Sequence, residues 1–287
     1  MRKAHNTQMF ALRDPPPATM RLAGGRYELV RIFKHDFFAA TCLYRLADGG
    51  ANEGAAGGPF PKLVVKFCRT QGFCGLPGRW VGELLCDREQ AIYEILTDVR
   101  GVPRWVDRID RTCYAIQYIE GRPLDHPPGP PPGFFQRLRE LFDAIHARGV
   151  GYCDANKLSN ILIGPDGEPF LVDYQISIRR RDDWPRPLRT IMRAIVDYVA
   201  EKDIYHLCKH KRHLSPQELT PEEDALSRRR RGPHLLHRKL TKPWRALRRR
   251  FLRRQYEKGR LVSPTADLED HHQPEKATWR TQREAKQ

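Results

Sequence analysis

The sequence has no run of eighteen apolar residues, and its opening stretch, MRKAHNTQMFALRDPPP, lacks the apolar centre of a signal peptide. The first absence speaks against a membrane-spanning helix, and together they place the chain in the cytoplasm, with room for a peripheral position at the inner face of a membrane. The seven cysteines, at 42, 68, 74, 86, 113, 153 and 208, form no CxxC pair. Several lie in apolar patterns, which suits reduced thiols rather than a disulfide framework or a zinc site. Cys153 has two readings, a redox-sensitive thiol or a packing residue. Acids are missing from one region altogether: Arg228 to Arg254 holds thirteen lysines and arginines and no Asp or Glu. So local a charge, within a net charge of +16, points to an anionic partner.

What is present is enough for a core. With 287 residues, 40% of them hydrophobic, one bilobal domain with extensions is expected rather than two separate domains. Residues 1–25 read as a poorly ordered tail closed by Gly24-Gly25, and 258–287 as a second tail.

The most informative stretch runs from His146 to Ser177, HARGVGYCDANKLSNILIGPDGEPFLVDYQIS. Asp154 lies in a polar loop after a helix. Asn160 opens the apolar run ILI, GPDG makes a turn, and FLV leads to Asp173, so a loop and then a β-hairpin are expected. Asn160 then begins one strand while Asp173 ends the next. Two oxygen ligands beside another carboxylate suit Mg²⁺ with a phosphate cargo, because Mg²⁺ is usually held by one or two carboxylates plus substrate phosphates.

Upstream, YELVRIF (27–33) and AATCLYRL (39–46) read as strands joined by KHDFF, a turn with no glycine. A Gly- and Ala-rich insertion follows, and then LVVKF, in which Lys66 interrupts an apolar strand. Burying an ammonium there is costly without an anion. In the helix expected over 80–98, Leu85, Ile92 and Leu96 share a face with Glu89, while Glu94 sides with Gln90 and Asp98. Glu89 is the expected partner of Lys66. RWVDRI (104–109) and CYAIQYI (113–119) read as further strands, DHPPGPPPG as a stiff connection, and 134–149 as an amphipathic helix striped by Phe135, Leu138, Leu141, Phe142 and Ile145.

These residues resemble the protein-kinase-like superfamily. The H-x-x-G-V preamble, Asp154, Lys157, Asn160 and Val172-Asp173-Tyr174 are similar to its catalytic and metal-binding loops, and the thirteen-residue step from Asn160 to Asp173 fits it. Asn160 follows Asp154 by six positions instead of the usual five, so the loop must bulge. Only about a dozen residues separate Asp173 from the next helix, expected near Leu188, and no Ala-Pro-Glu motif is present. The resemblance is therefore to compact bacterial branches, lipopolysaccharide core sugar (heptose or Kdo) kinases and RIO-type kinases.

The resemblance implies an α+β, bilobal fold: a small antiparallel sheet with one helix (26–119), then a mainly helical lobe (120–257). It implies ATP and Mg²⁺ as cofactors and transfer of the γ-phosphoryl group to a hydroxyl, on a lipid-linked sugar or a protein Ser/Thr. In that scheme Lys66, held by Glu89, contacts the phosphates, Asn160 and Asp173 hold the metal, Asp154 is the base, and Lys157 neutralises charge. Lys34 and His35 would contact phosphate from the glycine-free turn. Two rivals stand beside this reading, a pseudokinase and a basic nucleic-acid-binding protein.

Two further features stay open. His206, His210 and His213 share a helical face, as a metal site or a basic surface. Residues 234–254 mix basic residues with Leu240, Trp244, Leu247, Phe251 and Leu252, to lie on an anionic membrane, track nucleic acid or fold back on the domain. Thr220 with Glu223 three residues on marks a helix start.

Overall fold

The computed structural model describes residues 9–22, 24–47, 60–73 and 76–228, together with Arg250, Arg254 and Thr265. Most of the basic segment 228–254, nearly all of the glycine-rich insertion and Cys74 lie outside these residues. The fold is α+β, as expected, and divides into two compact units. The first takes in the described residues up to Asp87, Val106–Tyr118 and the three isolated residues; the second takes in Arg88–Trp105 and the described residues from Ile119 onward.

The first unit is organised on an antiparallel sheet. Its strands are β1 (Thr19–Leu22), β2 (Gly25–His35), β3 (Ala39–Leu46), β4 (Lys62–Cys68), β5 (Trp105–Asp110) and β6 (Cys113–Gln117), in the order β1-β2-β3-β4-β6-β5. Tyr27, Ile32, Ala40, Cys42, Tyr44, Leu63, Val65, Cys113 and Ala115 are buried in one cluster, and each of the larger ones contributes roughly 1.5–3 kcal/mol of burial.

The tail expected over residues 1–25 is a correction. Thr19–Leu22 pairs with β2 from Thr19↔Glu28 to Leu22↔Gly25, and Gly24, just before that last pair, takes φ +78. That left-handed conformation suits glycine, which is why the short hairpin closes there. Ala11 is fully buried, its N–H donating to the Asp36 carbonyl at 2.8 Å. The polar, proline-rich composition concealed an edge strand of only four residues.

On the helix α1 (Arg79–Ile95) the expected Glu89 and Ile92 are buried, as is Leu96 just past its end, with Gly82, Cys86 and Tyr93, while Leu85 is half-buried and Glu94 exposed. Arg88–Trp105 groups with the second unit, where Arg88 donates to the Ser177 carbonyl at 3.2 Å and the Tyr93 ring meets that of Tyr174 at 5.3 Å.

In the second unit, α2 (Phe134–Ala147) buries Phe134, Phe135, Leu138, Leu141, Phe142 and Ile145, the expected stripe plus its first residue. It ends at Gly149, φ +73, whose N–H closes onto the His146 carbonyl at 2.8 Å. Short strands flank it: β7 (Arg122–Pro123) before it, and β8 (Val150–Gly151), β9 (Ile161–Ile163), β10 (Pro169–Leu171) and β11 (Ile178–Arg179) after it. The β9–β10 hairpin closes through a turn at Gly164–Gly167, in which the Gly167 N–H donates to the Gly164 carbonyl at 3.0 Å and Gly167 takes φ +75.

The helix expected near Leu188 and the helical stretch that carries His206, His210 and His213 are one helix, α3 (Arg186–Leu214). Nothing between them breaks a helix: Ala200, Glu201 and Lys202 are all good formers. The last helix, α4 (Pro221–Arg228), begins with a capping box. The Glu223 N–H donates to Thr220 Oγ1 at 3.2 Å, and the Thr220 N–H donates to Glu223 Oε2 at 3.0 Å.

Candidate active site

The expected hairpin carries Asn160 and Asp173 to one end of the β9–β10 pair. Leu171 pairs with Ile161, and the Val172 N–H donates to the Asn160 carbonyl at 3.0 Å. Asp173 follows with φ +63, a left-handed conformation uncommon for a residue with a side chain. Such a residue persists only where its surroundings hold it, and sites of chemistry are where such strain collects.

Asp154 joins Asn160 and Lys157 in one cluster. Its Oδ2 accepts from Lys157 Nζ at 2.6 Å and from Asn160 Nδ2 at 2.8 Å, and Asp154 and Asn160 are both buried. With its Nδ2 on Asp154, the Asn160 amide turns its oxygen elsewhere, as an acceptor suited to a hard cation. The extra residue between Asp154 and Asn160 is taken up by two successive tight turns. Lys157 N–H donates to the Asp154 carbonyl at 3.0 Å, and Asn160 N–H to the Lys157 carbonyl at 3.1 Å, within a 3₁₀ turn at Leu158–Asn160. The expected bulge is therefore a compact one.

One residue that the sequence reading did not single out anchors this loop. Asp203 of α3, 1% exposed, accepts the N–H of Tyr152 at 2.8 Å and of Cys153 at 3.1 Å, and a bond from His146 Nε2 at 3.1 Å. Burial raises its pKa above the usual carboxylate range, against the opposing pull of His146 and the two N–H groups. His146, the first residue of the H-x-x-G-V preamble, thus acts through Asp203. An acid at helical spacing from Val196, Val199 and Leu207 was the signal available in the sequence.

Aromatic rings close the site from below. The Tyr152 hydroxyl donates to the Val172 carbonyl, and its ring meets Tyr174 at 5.2 Å and Phe142 at 6.0 Å. Burial raises the pKa of Tyr93, Tyr152 and Tyr174, and the Asp173 charge adds to the rise at Tyr93 and Tyr152. Cys153, with φ +70, has its thiol pushed up to about 12 by burial and by Asp203. A thiol so protonated at neutral pH is a poor nucleophile, which favours packing over redox sensing.

The remaining expected residues lie on α1 and the sheet. Lys66 and Glu89 are buried, at 6% and 0% exposure; Lys66 sits on β4 between Thr41 of β3 and Tyr114 of β6. Lys34 is half exposed and pairs with Asp36 at 2.6 Å. His35 is a correction: it is buried, its Nε2 accepting the Leu12 N–H at 3.1 Å and its Nδ1 lying 2.9 Å from Thr265 Oγ1. Its ring is committed to holding the N-terminal segment rather than a phosphate. The turn needs no glycine because Asp36 Oδ1 accepts the N–H groups of Phe38 and Ala39, at 2.8 and 3.0 Å.

Among the described residues no three His, Cys, Asp or Glu side chains gather as a metal cage. His210 bonds the Ala155 carbonyl at 2.9 Å instead. The donor set at the hairpin fits a cation that brings phosphate oxygens with it, since Asn160 and Asp173 supply only part of a shell.

No protein-family model matches the chain, and no curated protein does. Among solved structures the chain is similar to the Rio2 kinase from Chaetomium thermophilum, at 15% sequence identity and a TM-score of 0.47. The similarity covers 68% of this chain and 59% of that one. No helix among the described residues is long and apolar enough to cross a membrane.

Proposed function

We propose that the chain is a phosphotransferase of the kinase type, moving the γ-phosphoryl group of ATP to a hydroxyl with Mg²⁺. The observation that carries this reading is the Asp154 cluster: a buried carboxylate bonded to Lys157 and Asn160, beside the strand end that leads to Asp173. Asn160 through its amide oxygen and Asp173 through its carboxylate would hold the Mg²⁺, which supplies charge neutralisation for the phosphates.

The chain's own residues do the rest by positioning. Asp154 aligns the acceptor hydroxyl and takes its proton as oxygen bonds to phosphorus and the bond to the ADP oxygen breaks. Lys157, half exposed and already on Asp154, moves its charge onto the transferred group. Lys66 contacts the nucleotide phosphates and Glu89 is its carboxylate partner. Lys34 remains a candidate phosphate contact from its turn.

A lipid-linked sugar is the favoured acceptor, on the short connection from Asp173 to α3 and the basic segment 228–254, with a protein Ser/Thr second. That segment would hold the chain at an anionic membrane from the cytoplasmic side. A binding-only form of the same fold is the second reading, favoured by the glycine-free turn fixed by Asp36. The test is ADP formation from Mg-ATP by wild type and by Asp154→Ala, alone and with an acceptor panel. Turnover in the wild type that falls by about 10²-fold or more in the variant supports the reading; equal rates sink it.

A further inference from the structure

The helix α3 meets the loop that carries Asp154 at two points, seven residues apart on one face. Asp203 holds the N–H groups of Tyr152 and Cys153. His210 holds the other side: it is 6% exposed, and its Nε2 lies 2.9 Å from the Ala155 carbonyl oxygen. A carbonyl can only accept, so Nε2 carries the proton. The carbonyl it grips belongs to the residue after Asp154, in the peptide that joins Ala155 to Asn156, and Ala155 is fully buried.

The turn of α3 that presents His210 is itself fixed. Lys211, 7% exposed, bonds both oxygens of Glu223, at 3.0 and 2.7 Å. Glu223 in turn closes the cap at Thr220. The His206 ring stacks beside that of His210 at 6.5 Å and 28°. The donor is therefore delivered from a braced helix to a loop whose own bonds, Lys157 N–H to the Asp154 carbonyl and Asn160 N–H to the Lys157 carbonyl, are short-range and few.

We propose that His210 is a positioning residue: its Nε2–H fixes the Ala155 carbonyl and so keeps the Asp154 carboxylate turned toward Lys157 and Asn160. The importance given to Asp154 rests on the phosphotransfer reading above, but the latch itself can be read without turnover. A histidine that served packing alone would be replaced by any side chain of similar bulk. A latch requires a donor at the position of Nε2. Glutamine reaches that position with its amide, asparagine falls short, and leucine fills space without donating.

The experiment is hydrogen exchange at the Lys157 and Asn160 amides, in the full chain and its His210→Gln, His210→Asn and His210→Leu variants. Mg-ATP binding is measured on the same samples. Asparagine and leucine should speed exchange at these two amides roughly fivefold or more, as loss of one hydrogen bond does locally. Glutamine should restore the wild-type rates, and amides of β3, β4 and α2 should not change in any variant. Wild-type rates in the asparagine variant, or glutamine exchanging as fast as leucine, would overturn the latch. If leucine prevents folding, the glutamine and asparagine pair still decides. A wild type that does not bind Mg-ATP would sink the phosphotransfer reading while the exchange result stood by itself.

Discussion

The carboxylate of Asp203 lies 2.8 Å from the backbone nitrogen of Tyr152, fifty-one residues away in sequence, and the same group takes the N–H of Cys153. Two successive N–H groups converging on one buried carboxylate fix the direction in which the chain enters Asp154. Replacing Asp203 by Ala leaves both N–H groups and His146 without their acceptor inside the protein. The expected cost is about 3 kcal/mol or more, the range for breaking a buried charged network. Urea unfolding of wild type and Asp203→Ala measures it, and a midpoint shift worth less than about 1 kcal/mol would contradict the anchoring role.

The pH dependence of stability should carry a signature of His210. Burial lowers its pKa below the ordinary 6.5, with Lys209 and His213 adding to the fall and the Ala155 carbonyl opposing it. As pH drops below 6.5 the unfolded chain takes up this proton before the folded one does. Stability is therefore complete above that value and declines below it, by at most about 1.4 kcal/mol per pH unit for one proton. Urea midpoints between pH 7.5 and 5.5 should fall in the wild type, and fall less in His210→Gln. Parallel curves would show that other groups dominate.

The Tyr174 hydroxyl is buried and has no hydrogen-bond partner among the described residues. A polar group held this way costs roughly 1–3 kcal/mol relative to a satisfied one. Tyr174→Phe keeps the ring contacts with Tyr93 and Tyr152 and removes the cost. Thermal unfolding should show the variant at least as stable as the wild type, by up to about 1 kcal/mol. A clear loss would mean that the hydroxyl has a partner, such as an ordered water.

The parts of this molecule visible from sequence are those in which residue type and spacing act locally. Leu138, Leu141, Phe142 and Ile145 announced α2 by their period, Glu89 declared its buried side by its distance from Ile92 and Leu96, and Gly164–Gly167 gave the hairpin that places Asn160 near Asp173. The cluster of Asp154, Lys157 and Asn160 came from the same stretch, within seven residues. What escaped depended on distant partners. Asp203 and His210 gain their meaning only when α3 lies against the loop after Gly151, and no periodicity carries that contact. His35 reads as a phosphate contact of the glycine-free turn by its place beside Lys34; the Leu12 N–H that claims its ring lies twenty-three residues upstream. The four-residue strand β1 was too short to register against a proline-rich background.

The central claim is that the hairpin end bearing Asn160 and Asp173 receives the metal of a bound nucleotide. Titration calorimetry of ATP into the full chain, with and without Mg²⁺, for wild type and Asp173→Ala, tests it most directly. The account predicts binding that needs Mg²⁺ in the wild type and weakens at least about tenfold, some 1.4 kcal/mol, in the variant. Binding that ignores both the metal and the substitution, or no binding by the wild type, would contradict it.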